Sequence, residues 1–267
     1  MRARELSRPD PLPLRYRVLG NVIQAPIFFL ATAAFGSVSL LTSLLERDGR
    51  WQHRIAQAWA TTSLWIAGSP VTVVGGENLP TGGPAVYVAN HASYMDTPVL
   101  FSALRFQFRI LAKQGLWKVP FIGWHLKRSG QIPVDTDNPR ASISSLLGGV
   151  RALKEGMPLV VFPEGGRSAE GKLETFANGP AYMAIRAQVP LVPMAIIGTY
   201  ELLPMHTRHF YPRPLMLAVG SPIVTTGMTT KSIEKLTDQL SGEIFKLYYA
   251  HSHRLPPVSQ EIPTPHD

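Results

Sequence analysis

Ala85-Val86-Tyr87-Val88-Ala89-Asn90-His91-Ala92-Ser93-Tyr94-Met95-Asp96 joins a short apolar run to a tight polar stretch that holds an imidazole and, five residues on, a carboxylate. The run does not alternate with polar residues, so it reads as a strand buried on both faces. Some seventy residues later Pro158-Leu159-Val160-Val161-Phe162 has the same character and leads directly into Pro163-Glu164-Gly165-Gly166-Arg167-Ser168. Similar runs lie at 71–74, 108–112, 131–134, 191–197 and 215–219, with helical stretches between them. The clearest of these has Asn138 as N-cap and Pro139 at its first position, continues through Leu153 and stops at Gly156. Another runs from Lys231 to about His251, and aromatic and aliphatic residues from Trp51 to Ala67 recur at helical spacing. This alternation predicts an α/β fold, a largely parallel central sheet flanked by helices, with the functional loops at strand ends, where both polar stretches fall.

The chain has 267 residues, enough for one large α/β domain with an attachment. A formal net charge of +8 favours anionic partners: nucleic acid, an acidic membrane surface or phosphorylated substrates. Cysteine is absent, which excludes disulfides, thiolate metal sites and a cysteine nucleophile. Residues 18–45 carry no charged side chain, and 27–45 approaches the ~20 residues that span a bilayer. Arg2, Arg4, Arg8, Arg15 and Arg17 precede this stretch, a bias that holds the N-terminus in the cytoplasm. Pro26, Gly36 and several Ser and Thr residues interrupt it, which suits two shorter helices lying in one leaflet, a monotopic anchor, better than a single span. The expected organisation is an anchoring segment over 1–50, a catalytic domain over 51–253 and a disordered Pro-rich tail over 254–267.

An alcohol is a poor nucleophile at neutral pH, and a histidine with a pKa near ~6.5 is suited to take its proton. A carboxylate beside it fixes the tautomer and stabilises the imidazolium. His91 and Asp96 are candidates for these roles, although Ser93, Asp96 and Pro98 also suit an ordinary helix start. In the second stretch, amides of the Gly165–Gly166 turn can approach an anion closely, and Arg167 can grip phosphate oxygens in a bidentate manner. Glu164 is expected to orient Arg167; the plainer reading is a solvated Glu and Arg pair. Lys113, at the end of another strand, serves either a phosphate or the solvent. Ser168 lacks the second glycine of a hydrolase nucleophile elbow. His206 and His209 have ligand-like spacing but no accompanying carboxylates, and read as a surface or membrane-facing loop; His125 reads as a packing or capping residue.

Taken together, the ordered blocks resemble the glycerolipid acyltransferases typified by 1-acylglycerol-3-phosphate acyltransferase, over roughly residues 51–241. The family's Asn-His-x-Ser-x-x-Asp block is matched by Asn90 to Asp96, and its Phe-Pro-Glu-Gly-Thr-Arg-Ser block by Phe162 to Ser168 with Gly166 in place of threonine. Val189 to Ala195 matches the apolar block with a pivotal proline, Pro193, and Lys113 with Val119 to Trp124 resembles the segment after the first block. One block departs: Gly130-Gln131-Ile132-Pro133-Val134-Asp135-Thr136 ends in threonine where the family has arginine. Arg128 or Arg140 would compensate from either side, or each is an exposed helix-end charge.

The resemblance implies a membrane-associated acyltransferase on the cytoplasmic face. It would move a fatty acyl group from acyl-coenzyme A or acyl carrier protein to the free hydroxyl of lysophosphatidate, with no metal or other cofactor. His91 is then the general base, Asp96 its orienting carboxylate, and Lys113, Glu164, Gly165, Gly166, Arg167 and Ser168 bind the acceptor, with Arg128, Arg140 and Pro193 as further candidates. Its partners would be membrane lipid, the acyl donor and an anionic membrane surface, not nucleic acid. Three other readings are carried beside it: the same chemistry on another lysolipid, such as an amino-acid lipid, which the Thr136 departure supports; a hydrolase using Ser168; and a non-catalytic membrane-binding protein.

Overall fold

Strands form where the sequence places its apolar runs: β1 (Val71–Val74), β2 (Val86–Ala89), β3 (Arg109–Lys113), β4 (Ile132–Val134), β5 (Leu159–Val161), β6 (Leu191–Ile197) and β7 (Leu215–Val219). The helices are α1 (Leu14–Leu19), α2 (Ala25–Thr42), α3 (Arg50–Ile66), α4 (Asp96–Ala103), α5 (Ile122–Arg128), α6 (Pro139–Lys154), α7 (Gly179–Ala187), α8 (Thr199–Leu202) and α9 (Ile233–His251). This computed structural model describes residues 14–46, 48–80, 83–135, 139–204, 207 and 209–252. The basic residues before Leu14, the Asn138 cap, Thr136, His206 and the tail therefore lie outside the described residues, as do the side chains of Arg15, Arg17 and Arg140.

One seven-stranded sheet has the order β1-β7-β6-β2-β5-β3-β4. From β6 to β4 all neighbours are parallel, each joined through a crossover, while β7 pairs antiparallel with β6 and parallel with β1. The reversal has a local cause. Among the described residues between β6 and β7 the chain makes only the short α8 and a loop, with no crossover helix to return it to the far end of the sheet.

The side chains of β2 alternate between two cores. Tyr87 and Ala89 join Ala60 and Leu64 of α3 and Val99 of α4 on one face, and Val86 and Val88 join Leu153 of α6, Met183 of α7 and Leu240 of α9 on the other. A strand buried on both sides must be apolar throughout, which is the pattern that the sequence displays. Because β5 leads across β2 to β6, the ends of β2 and β5 flank a point where the connections change direction, the usual place for a crevice in an open α/β sheet.

Pro193, a candidate acceptor contact from the sequence, is buried inside β6 instead, paired in register with Val88. The ladder register between β6 and β7 shifts by one residue between Met194↔Val219 and Leu191↔Ile223, so Pro193 faces a bulge. Its carbonyl accepts from Gly220 N at 2.9 Å, and its missing N–H falls where the regular ladder is broken.

The N-terminal segment departs from the expected pair of short, interrupted helices. A π-helical turn, Gly20–Gln24, joins α1 to α2, and α2 then runs unbroken for 18 residues, ~27 Å. Pro26 follows directly on the π-helical turn, in which the Ala25 N–H bonds the Gly20 carbonyl, so the residue without an N–H sits where the helical ladder changes spacing. Gly36 lies inside it because a Cβ there would stand 2.9 Å from the Cβ of Phe121. From Gly20 to Thr42 the chain is long and apolar enough to cross a membrane.

The inner face of α2 packs Phe28 against Trp59 and Phe210 and adds polar ties along the segment. Gln24 Nε2 donates to the Ile66 carbonyl at 3.0 Å, and Trp59 Nε1 donates to Thr32 Oγ1 at 3.0 Å. Ser39, which is buried, meets His125 Nδ1 at 2.6 Å. Burial pushes the His125 imidazole down to about 4. Large apolar side chains face outward: Phe29, Leu30, Leu41 and Leu44 are all more than half exposed.

Candidate active site

β2 ends at Ala89, and Asn90 fastens the next turn to the neighbouring strand. Its Nδ2 donates to the Ile196 carbonyl at 3.0 Å and its Oδ1 accepts from Ile196 N at 2.7 Å, a two-point clamp across the sheet's C-terminal edge. His91 follows immediately. Its Nδ1 lies 2.7 Å from Asp96 Oδ2, and the same oxygen accepts from Ala92 N at 2.7 Å and Ser93 N at 2.8 Å. Both readings of Asp96 therefore hold together: it is the first residue of α4, and it draws the loop and the imidazole around one carboxylate oxygen. Asp96 is fully buried and the His91 side chain 16% exposed. An ionised carboxylate only accepts, so Nδ1 carries the proton and the Nε2 lone pair remains for an incoming group. Phe162 fixes the plane of the imidazole by stacking on it, with centroids 4.0 Å apart and rings 16° from parallel.

The glycine turn closes over the same loop. Gly165 takes φ 69°, a left-handed conformation that a side chain would strain. Beyond it Ser168 N donates to the His91 carbonyl at 2.9 Å, so the two motifs are bonded through their backbones. Glu164 does not orient Arg167, as the sequence led us to expect. Oε1 of Glu164 accepts from His91 N at 2.8 Å and Oε2 from Glu174 N at 3.4 Å. Burial is the main cause pushing this carboxyl up to about 8; the two N–H donors oppose it, and the charges of Asp96 and Glu174 add to it. Glu164 thus braces the His91 loop from behind.

Ser168 is likewise an internal residue. It is 2% exposed, and its hydroxyl donates to Glu174 Oε1 at 3.3 Å, so it is buried against a carboxylate and bonded to no histidine or lysine among the described residues. Arg167 lies over Tyr94, with its guanidinium carbon 3.7 Å from the centroid of the ring. It forms no ion pair among the described residues. The amides of Gly166 and Arg167 are bonded to no other group among the described residues, and a Cβ at Gly166 would meet nothing within 4 Å.

Lys113 ends β3 and is exposed; carrying the Arg109↔Leu159 register forward sets it level with Pro163, on the same edge as His91 and Arg167. Arg128 is not brought there. It ends α5, which leads into the start of β4, at the opposite edge of the sheet, and lines a groove of about 410 Å³ with Ser37, Leu40, Leu41, Ser43 and Leu44. His209 bonds Tyr211 through Nε2 at 3.0 Å and packs near Gly20, against the N-terminal segment. Sequence reasoning missed Tyr94 and Glu174. Tyr94 occupies a position that the motif leaves free, and Glu174 lies ten residues past Glu164 in a loop without periodicity.

An acyltransferase family model matches residues 70–197, the span that carries every group of this site. A chloroplast 1-acyl-sn-glycerol-3-phosphate acyltransferase of Arabidopsis thaliana is 35% identical over 210 residues, 74% of this chain and 57% of the relative. One of Saccharomyces cerevisiae is 29% identical over 255 residues, 90% of this chain and 83% of the relative. The first relatives matched, from Arabidopsis, Brassica napus and Chlamydomonas reinhardtii, are longer proteins, of which the chain spans 57%, 45% and 60%. Among solved structures, the 1-acyl-sn-glycerophosphate acyltransferase PlsC from Thermotoga maritima superposes with a TM-score of 0.73 at 25% identity, covering 89% of this chain and 98% of that one. With the histidine and aspartate in bonding contact, the glycine turn closed over them and both motifs inside the matched span, residues 70–197 form an acyltransferase-family domain.

Proposed function

We propose that this protein transfers a fatty acyl group from acyl-coenzyme A or acyl carrier protein to the free hydroxyl of lysophosphatidate, giving phosphatidate. The observation that carries the reading is the His91 Nδ1 contact with Asp96 at 2.7 Å, which leaves Nε2 free in a loop whose Tyr94 carries Arg167, a guanidinium with no ion pair among the described residues. In the reaction, Nε2 takes the proton of the acceptor hydroxyl as its oxygen attacks the thioester carbonyl. The imidazolium that forms is stabilised by Asp96. The tetrahedral oxyanion meets amide donors, for which the unbonded N–H groups of Gly166 and Arg167 are candidates. Collapse breaks the carbon–sulfur bond, and the departing thiolate takes the proton back from His91. Arg167 and Lys113 hold the acceptor's phosphate at the same edge. No acyl-enzyme is needed.

The lipid acceptor fits an in-plane, monotopic attachment at the cytoplasmic face. Ties at Gln24, Thr32, Gly36 and Ser39 fasten α2 along most of its length to α3 and α5. Crossing the bilayer in that state would carry the exposed Arg50 and Arg54 of α3 into hydrocarbon. Lying in one leaflet buries the outer apolar face and leaves the arginines in water.

The test is acyl transfer by the purified protein in mixed micelles, with lysophosphatidate and long-chain acyl-coenzyme A or acyl carrier protein. Wild type should transfer, and a folded His91→Ala variant should not. Failure of wild type with both donors would reject the lysophosphatidate reading. Loss of activity in Arg167→Ala only toward acceptors bearing a phosphomonoester separates this reading from one on a lysolipid without that group.

A further inference from the structure

Arg167 stands after two glycines, and Gly166 has open space around it, so the backbone before Arg167 restrains it weakly. Its side chain compensates. The guanidinium carbon sits 3.7 Å from the centre of the Tyr94 ring, and Nε is buried without a hydrogen bond, which leaves the Nη atoms as the part that can bind a ligand. Tyr94 belongs to the loop that holds the base. That loop is tightly fixed, because Asp96 Oδ2 gathers His91 Nδ1, Ala92 N and Ser93 N, and Ser93 Oγ donates to the Leu203 carbonyl at 3.1 Å. A cation held on the face of an aromatic ring in this loop is therefore held at a set distance from the imidazole.

We propose that Tyr94 is the positioning residue that aims Arg167 at the acceptor's phosphate and so fixes the spacing between phosphate and reacting hydroxyl. The inference rests on the assignment of Arg167 to the phosphate given above. Tyr94 acts through the ring face and not through its hydroxyl, and it does not touch the reacting atoms. The separation that it sets selects acceptors whose free hydroxyl lies a fixed number of bonds from a phosphomonoester. Its 59% exposure, otherwise unfavourable for a large aromatic side chain in a catalytic loop, follows from serving as a platform at the mouth of the site.

The test is a double-substitution cycle on the full chain in mixed micelles, using lysophosphatidate and acyl-coenzyme A and measuring KM for each substrate separately. Tyr94→Ala should raise the acceptor KM about fivefold, the equivalent of one partly exposed cation–π contact, while the donor KM stays within twofold. Tyr94→Phe should restore the acceptor KM. In an Arg167→Ala background, Tyr94→Ala should add nothing. Equal damage to both KM values, or effects of Tyr94→Ala and Arg167→Ala that simply multiply, would overturn the proposal. If Arg167→Ala raises the acceptor KM and Tyr94→Ala does not, the proposal alone fails; if Arg167→Ala leaves it unmoved, the phosphate assignment fails as well. A readout independent of the acceptor is the Nε–H resonance of Arg167 in protein labelled with 15N-arginine, identified by its loss in Arg167→Lys. A ring-current displacement present in wild type and Tyr94→Phe and absent in Tyr94→Ala supports the stack, and its absence from wild type refutes it.

Discussion

Replacing Glu164 by glutamine isolates the most unusual electrostatic feature of the site. The substitution keeps a carbonyl oxygen to accept from His91 N, now 2.8 Å from Oε1, and removes the ionisable group. Burial raises the wild-type carboxyl from 4.5 to about 8, so the folded state holds a proton that the unfolded state has released over that interval. The sign follows directly: the unfolded state binds fewer protons, stability is highest below pH 4.5, and it falls as pH rises until the carboxyl ionises near pH 8. Across the whole interval the linkage amounts to at most about 5 kcal/mol. Between pH 7 and pH 9, about 1.4 kcal/mol of it remains to be lost, which for a domain of this size is a melting-temperature change of about 3–5 °C. Thermal melts of both proteins in the same detergent at pH 6, 7, 8 and 9 check this. The melting temperature of Glu164→Gln minus that of wild type should grow by that amount from pH 7 to pH 9 and then level off. A difference that stays constant over the series would mean that the carboxyl ionises in its ordinary range, and the account of Glu164 as a desolvated brace would have to be abandoned.

Asp96→Asn should reduce kcat by about 10³-fold, because the imidazolium loses its counter-charge, within the range typical of general-base catalysis; near-normal turnover in a folded variant would remove Asp96 from the mechanism. Asn90→Ala leaves a buried amide and a buried carbonyl of Ile196 unpaired, and should lower stability by about 2–4 kcal/mol in denaturant titration. His53 is buried between Phe101 and Phe108, and burial, opposed by the Phe106 backbone, pushes its imidazole down to about 4. Its stabilising contribution is present above pH 6.5 and lost as pH falls through about 4, so His53→Phe should flatten the acid limb of the melting curve by up to about 3 kcal/mol. Gly36→Leu forces a side chain against Phe121 and should release α2 from the domain, seen as faster proteolysis of the 43–49 connection; an unchanged cleavage rate would show that the close approach is not what holds the helix.

The amino-acid sequence by itself determined the seven strands and the helices α3, α6 and α9, and it put His91 and Asp96 forward as a candidate pair, because each depends on residues close together in the chain. A strand buried on two faces announces itself by being apolar at every position, and an imidazole and a carboxylate five residues apart can meet within one turn. The N-terminal segment was legible as an apolar attachment, but not as an unbroken helix. Whether Gly36 and Pro26 interrupt a helix depends on what packs against the first and on which turn holds the second. Tertiary structure alone decided the sheet order, the reversal of β7 and the bulge that accommodates Pro193. It also decided what each member of the glycine motif does. Glu164, Arg167 and Ser168 are four residues apart at most, yet one braces the His91 loop, one lies over Tyr94 and one is buried against Glu174. Local order cannot assign those partners, since desolvation and hydrogen-bond geometry arise only once β2 and β5 bring two distant loops to the same edge of the sheet.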